Sequence, residues 1–188
     1  MKHKIRTYIM LIIAYLVLAV PFKTMQVIPG FTDIRPVMML GPVYALFYGL
    51  PGCIIFALMN LFMDAVSGEL AWSSIAGLIA NFAGPFLLFY YWNKISKTRP
   101  HLRSLGNILH YSASLIIAAV LEALIITPSV AFFYPDVDTK LFFVTVVLNT
   151  ALFPMFVGIP LTILIQEELG FKPIVLDRAE DKDKESAD

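Results

Sequence analysis

Residues Phe31 to Gly68 read FTDIRPVMMLGPVYALFYGLPGCIIFALMNLFMDAVSG. Charges stand only near the ends of this stretch, Asp33 and Arg35 before the apolar run and Asp64 after it, while Gly49-Leu50-Pro51-Gly52 interrupts its middle. A proline flanked by glycines would badly break one long helix. The uncharged run from Pro36 to Met63 is therefore either one overlong span or two short antiparallel ones, and in the second case its polar residues gather at the open end of a hairpin.

The chain around it has the composition of an integral membrane protein: 188 residues, 59% hydrophobic, 15% charged and a mean hydropathy of +0.77. No polar insert is long enough for a soluble nucleotide-binding or catalytic domain, so any energy source must be an ion gradient or a partner. Nucleic acid is not indicated. The single cysteine, Cys53, lies in an apolar run and reads as a small packing residue, with no second cysteine for an intramolecular disulfide. Lys2, Lys4 and Arg6 ahead of the apolar run from Tyr8 to Phe22 give the start of the chain a superficial likeness to a signal peptide. Pro21-Phe22-Lys23 stands where a small-residue cleavage site would be, so the run is read as a retained first helix.

Apolar segments lie at 7–22, 36–49, 52–66, 71–92, 106–127 and 140–165. Most approach the ~20 residues that cross ~30 Å of hydrocarbon as a helix; the second and third are short. Charge parity chooses two spans over one for the central stretch. With six spans and a cytoplasmic start, the inside holds Lys2, Lys4, Arg6, Lys94, Lys97, Arg99, Arg103, Lys172, Arg178, Lys182 and Lys184, and the outside only Lys23, Arg35 and Lys140. Merging the two short spans would move the Lys94–Arg103 group outside and erase the bias. The expected fold is thus all-α, polytopic, with six transmembrane helices and both termini cytoplasmic. Residues 1–172 form the membrane domain and 173–188 a charged, disordered cytoplasmic tail. Pro128 and Pro135 are taken to bracket an outside loop, and Tyr90, Tyr91 and Trp92 to form an interfacial aromatic belt. No inverted repeat of three plus three helices is evident.

Polar residues within the spans are the functional candidates, because lipid excludes them and they therefore face a bundle interior or a cavity. Asn60 and Asp64, four apart, share one helix face. Asn81 falls mid-span, Glu122 about a turn and a half from the outer end of its span, and Asn149 in the outer half of the last. With Asp33 and Arg35 most of these map to the outer half, where an outward-opening cavity is the simplest common cause. Trp72, Phe132, Phe133 and Tyr134 are placed at the same surface, with Trp72 and Tyr134 taken as stacking partners for a ligand. The competing reading makes the amides interhelical glue, Asp64 a solvated helix end, and the aromatics a membrane-interface belt. The connection from Lys23 to Arg35, with Pro29-Gly30, suits a loop folding over the cavity. Small residues at Ala76/Ala80, Ser114/Ala118 and Ala119/Ala123 suit close helix packing. His3, His101 and His110 have no carboxylate or thiol at metal-ligand spacing, and no nucleophile-elbow, zinc-protease or phosphate-loop motif occurs. Neither an enzyme, a metal nor a cofactor is expected.

The ordered set Asp33-Ile-Arg-Pro36, Gly41-Pro42, the GLPG turn and Asn60-Leu-Phe-Met-Asp64 resembles the substrate-binding S-components of energy-coupling factor (ECF) vitamin transporters, across roughly residues 5–172. The resemblance implies an S-component-like bundle in a prokaryotic cell membrane. It further implies a micronutrient pocket facing outward beneath the first outer loop, and a complex with a transmembrane coupling protein and two cytoplasmic ATPases. Both signs of charge, amides and nearby aromatics lean toward a cobalamin-like corrinoid, with folate, pantothenate or a queuosine precursor next. One departure is that Ala14 is followed by Leu18 where many members continue a small-residue stripe, so no coupling residue is carried over. The alternative function is a stand-alone ion-coupled secondary transporter using Glu122 or Asp64, and a third is an assembly protein without ligand.

Overall fold

A computed structural model describes residues 2–23, 25–28, 32–96, 102, 104–171 and 173–174, with the backbone alone at 2–4, 26–28, 32–33 and 96. The elements are α1 (Lys2–Ala19), a 3-10 turn (Val20–Phe22), β1 (Gln26–Ile28), β2 (Thr32–Asp33), a second 3-10 turn (Pro36–Met39), α2 (Leu40–Val66), α3 (Trp72–Tyr90), α4 (Leu105–Phe133), α5 (Thr139–Phe153) and α6 (Ile159–Glu167). A π-helical segment, Tyr91–Ser96, prolongs α3, and another, Pro154–Gly158, joins α5 to α6. Five of the resulting helical runs are long and apolar enough to cross a membrane: Ile5–Phe22, Pro36–Val66, Trp72–Ile95, Leu105–Phe133 and Thr139–Glu167. This is the architecture of a multi-pass membrane protein. The charged tail beyond residue 174, and most of the basic connection at 97–103, lie outside the described residues.

α2 is not one rod. Gly49 leaves helical geometry at φ 58°, ψ −139°, a region essentially reserved for glycine. Pro51, two residues on, has the φ and the missing N–H that suit the first turn of a new helix. The chain reverses here. In a straight helix Tyr44 and Phe56 would be about 18 Å apart, whereas their rings meet edge-on with centroids 6.4 Å apart. Likewise a methyl group built on Gly41 would sit 3.1 Å from the Phe56 ring, and one on Gly52 would strike the Tyr44 carbonyl. Limbs 40–48 and 50–66 therefore pack side by side, with glycine where their surfaces come closest.

This hairpin is the centre of the bundle. Within Pro36–Val66 the most apolar 18-residue window is 56% buried, against 11% for Ile5–Phe22 at the periphery. α1 is held to the hairpin by two polar contacts across otherwise apolar surface: the Tyr44 hydroxyl donates to the Leu11 carbonyl at 2.6 Å, and Asn60 Nδ2 to the Tyr15 hydroxyl at 3.3 Å. α3 packs on the hairpin and α4 on α3, where Ala80, Ala118, Ala119 and Ala123 are buried. The small residues thus serve packing within this chain. α5 closes the bundle against α4 and the 3-10 turn at Pro36–Met39.

Two expectations are corrected. α4 continues through Pro128 to Phe133, so the connection to α5 is only residues 134–138, ended by Asp138 accepting hydrogen bonds from the backbone of Lys140 and Leu141. A proline costs a helix one backbone bond, and packing on neighbouring helices outweighs that loss here. Trp92 is 1% exposed, packed among Tyr91, His110 and Tyr111, and so belongs to the core rather than to an interfacial belt. The connection from Lys23 to Arg35 also has more order than a plain loop: β1 and β2 pair antiparallel, Gln26 opposite Asp33 and Ile28 opposite Thr32.

Gly49→Ala is expected to lower stability by about 1–3 kcal/mol, the cost of forcing a side chain into this backbone region, and Gly52→Val by more. Gly106→Ala, with open space around it, should be neutral or mildly stabilising. Thermal unfolding in detergent of the three variants checks the order.

Candidate functional site

The reversal brings both ends of the hairpin to the end of the bundle where α3 begins, α4 finishes and α5 begins. A cavity opens among them, lined by Arg35, Asn60, Asp64, Asn81, Glu122 and Asn149 together with Met38, Glu69, Ser73, Ser74, Gly77 and Thr150. Six of the nine residues singled out from sequence therefore share one space. Trp72 does not join them; it is 68% exposed and stacks on Phe133 with centroids 6.3 Å apart. Tyr134, the residue ending α4, is not on the cavity wall either. Asp33 is placed by its backbone in β2, and its side chain lies outside the described residues. Trp72 misses the site because it turns outward onto Phe133.

The cavity has a mouth and a floor. A smaller hollow shares Arg35, Asn60 and Asp64 with it and runs toward Lys23 and α1. Another shares Met38, Glu122 and Thr150 and runs inward beneath Gly41 and Gly84. Glu122 thus marks the deep end and Arg35 with Asp64 the mouth. Since α4 extends to Phe133, Glu122 lies eleven residues, about 16 Å of helix, from the helix end. It sits three turns deep rather than the turn and a half expected.

Charges at the mouth are compensated. Lys23 Nζ lies 2.6 Å from Glu69 Oε2 and 3.7 Å from Asp64 Oδ1. The tight turn after α2 makes this possible, because the Glu69 N–H donates to the Asp64 carbonyl at 2.9 Å and brings the two carboxylates side by side. Arg35 donates its backbone N–H to Asn149 Oδ1 at 3.1 Å, tying the foot of the β hairpin to α5. Both feet of that hairpin, Lys23 and Arg35, are therefore anchored at the cavity rim.

The floor differs. Glu122 is 4% exposed, and its carboxyl lies directly on Gly84 of α3, where a methyl group would overlap it. Gly84 is the reason α4 can carry a glutamate at this depth. Asn81, 6% exposed and one turn earlier on the same face, donates Nδ2 to the Gly77 carbonyl at 2.7 Å, leaving its Oδ1 without a donor among the described residues.

Lys23, Glu69, Ser73, Ser74 and Thr150 were not singled out in sequence. For Ser74 a signal exists: Ser74, Gly77 and Asn81 recur at helical spacing and mark one polar face of α3. Lys23 and Glu69 carry no such signal, since their pairing depends on the fold of two connections 46 residues apart in sequence. The described residues contain no group of three or more His, Cys, Asp or Glu that could hold a metal ion.

No family model, no curated protein and no solved structure matches this chain.

Gly84→Ala should destabilise the protein by about 1–3 kcal/mol through overpacking against Glu122. Gly84→Ala combined with Glu122→Ala should recover part of that loss, giving a coupling of about 1 kcal/mol or more in a double-mutant cycle read by thermal unfolding.

Proposed function

We propose that this chain is the membrane-embedded, substrate-capturing subunit of an ATP-driven importer of the ECF S-component kind. The observation that carries the proposal is the convergence of Arg35, Asn60, Asp64, Asn81, Glu122 and Asn149 on one cavity at a single end of an apolar bundle. Helix-to-helix adhesion alone would scatter such groups along separate contacts; a shared, partly open space suits capture of a polar small molecule.

In this proposal each limb of α2 counts as one crossing. Six spans then place both termini in the cytoplasm of a prokaryotic cell, and the basic segments lie inside. The cavity end, opposite the exposed Lys94, faces out. In this arrangement ATP hydrolysis falls to partner ATPases joined through a transmembrane coupling protein. The cargo is a vitamin-type micronutrient. A cavity of about 70 Å³ lies far below the ~300–1,000 Å³ that encloses drug-sized ligands. That size favours a small polar compound over the corrinoid suggested by residue types, unless the β hairpin and α1 move aside to admit a larger one.

A stand-alone ion-coupled carrier is the second reading, and the deeply buried Glu122 favours it, because such carboxylates serve as ion or proton sites in carriers. Purified protein reconstituted in proteoliposomes separates the two. The capture reading expects a small molecule bound at one per chain in native mass spectrometry without ATP, and no uptake of that molecule under a proton or sodium gradient. Gradient-driven uptake by this chain alone would sink it. Arg35→Ala or Asn149→Ala should weaken retention of the copurified molecule about tenfold or more, equivalent to ~1.4 kcal/mol.

A further inference from the structure

The cavity floor offers hydrogen-bond acceptors with nothing to satisfy them. Glu122 has neither an ion pair nor a hydrogen bond among the described residues; the cations near this cavity, Arg35 on its wall and Lys23 beside Asp64 and Glu69, stand at the mouth, the opposite end from Glu122. Asn81 adds a second acceptor. Its Nδ2 is committed to the Gly77 carbonyl, and turning the amide over would set Oδ1 against that same carbonyl oxygen, so the orientation is fixed and Oδ1 remains an unpartnered buried acceptor. Gly84, three residues after Asn81 on α3, cradles the Glu122 carboxyl, so the two acceptors belong to one patch of the wall. Buried acceptors without donors are costly, and a buried carboxylate more so.

We infer that this floor receives a nitrogenous head group, an ammonium or amidinium, which donates N–H bonds to the Glu122 carboxylate and to Asn81 Oδ1. The inference rests on the capture reading above and names the chemistry of what is captured. An anionic group on the floor would meet the Glu122 charge, since the cation of this cavity, Arg35, lies at its mouth. A neutral carbonyl would bring an acceptor to a wall of acceptors. A donor-rich cation satisfies both acceptors and also pairs the Glu122 charge, which a neutral N–H or O–H donor leaves unpaired, and the cavity of about 70 Å³ is of head-group size, leaving the remainder of the ligand to extend toward Asn60 and the mouth.

Three small probes of nearly one shape, acetamidinium, acetamide and acetate, test this on the full chain in lipid nanodiscs by saturation-transfer NMR titration. Acetamidinium is expected to bind at least tenfold more tightly than acetate, with acetamide between them, and Glu122→Gln should shrink the amidinium-to-acetate ratio to less than threefold. If Glu122→Gln does not fold, Asn81→Ala carries the test and should weaken acetamidinium at least threefold. Acetate or acetamide binding as tightly as acetamidinium, or a ratio indifferent to these substitutions, overturns the head-group assignment while leaving a small-molecule pocket in place. Binding by none of the three overturns the assignment and the pocket together.

Discussion

The reversal of the chain at Gly49 is the constraint on which the rest of the molecule depends. A helix that ran straight from Leu40 to Val66 would carry Arg35 and Asp64 to opposite ends of the bundle. By turning back, it places the segment around Arg35 and Met38 beside Asn60 and Asp64, and the other helices assemble on that pair. The turn itself is built from few parts: a glycine in a backbone region others avoid, a proline that starts the return limb, and a second glycine where the limbs touch. Phe56, packed against Gly41 and Tyr44, fills the seam.

Polar chemistry in this bundle follows from where the seam opens. At the mouth, charges are paired and amides tie segments together: Lys23 with Asp64 and Glu69, Asn149 with the Arg35 backbone, Asn60 with Tyr15. These contacts anchor the β hairpin and α1, which is otherwise the least buried helix. At the floor, Glu122 sits in the gap at Gly84 and Asn81 is held by the Gly77 carbonyl, while the Glu122 carboxyl and Asn81 Oδ1 have no donor among the described residues. Packing alone does not account for a carboxyl at that depth, since an apolar residue of similar volume would avoid its desolvation cost. Under the proposed capture function, a bound donor would offset that cost.

Much of this was legible in the sequence, because the signals were local. The GLPG break marked an interruption by backbone chemistry, charge parity turned it into a reversal, and the four-residue spacing of Asn60 and Asp64 put them on one face. Polar residues inside apolar runs pointed to the cavity because lipid makes them expensive. What was missed depended on tertiary context. Pro128 looked like a helix end, yet packing carries α4 five residues beyond it and sinks Glu122 deeper. Trp72 and Tyr134 stood at the right level of the bundle but off the cavity wall, Trp72 because it stacks outward on Phe133. Lys23 and Glu69 meet only because two connections fold toward each other. Trp92 looked like a belt residue by position and is a core residue by packing.

The reversal at Gly49 is tested most directly by a distance across it. Spin labels at Ile34 and Val66, both exposed, in a Cys53→Ser background report that separation by pulsed electron paramagnetic resonance. A hairpin brings the labels within about 25 Å of each other, whereas a continuous helix over the same 32 residues, at 1.5 Å per residue, sets them about 48 Å apart. A distribution centred at the short distance is the predicted result; one centred near the long distance would contradict the fold, and with it the cavity that the hairpin builds.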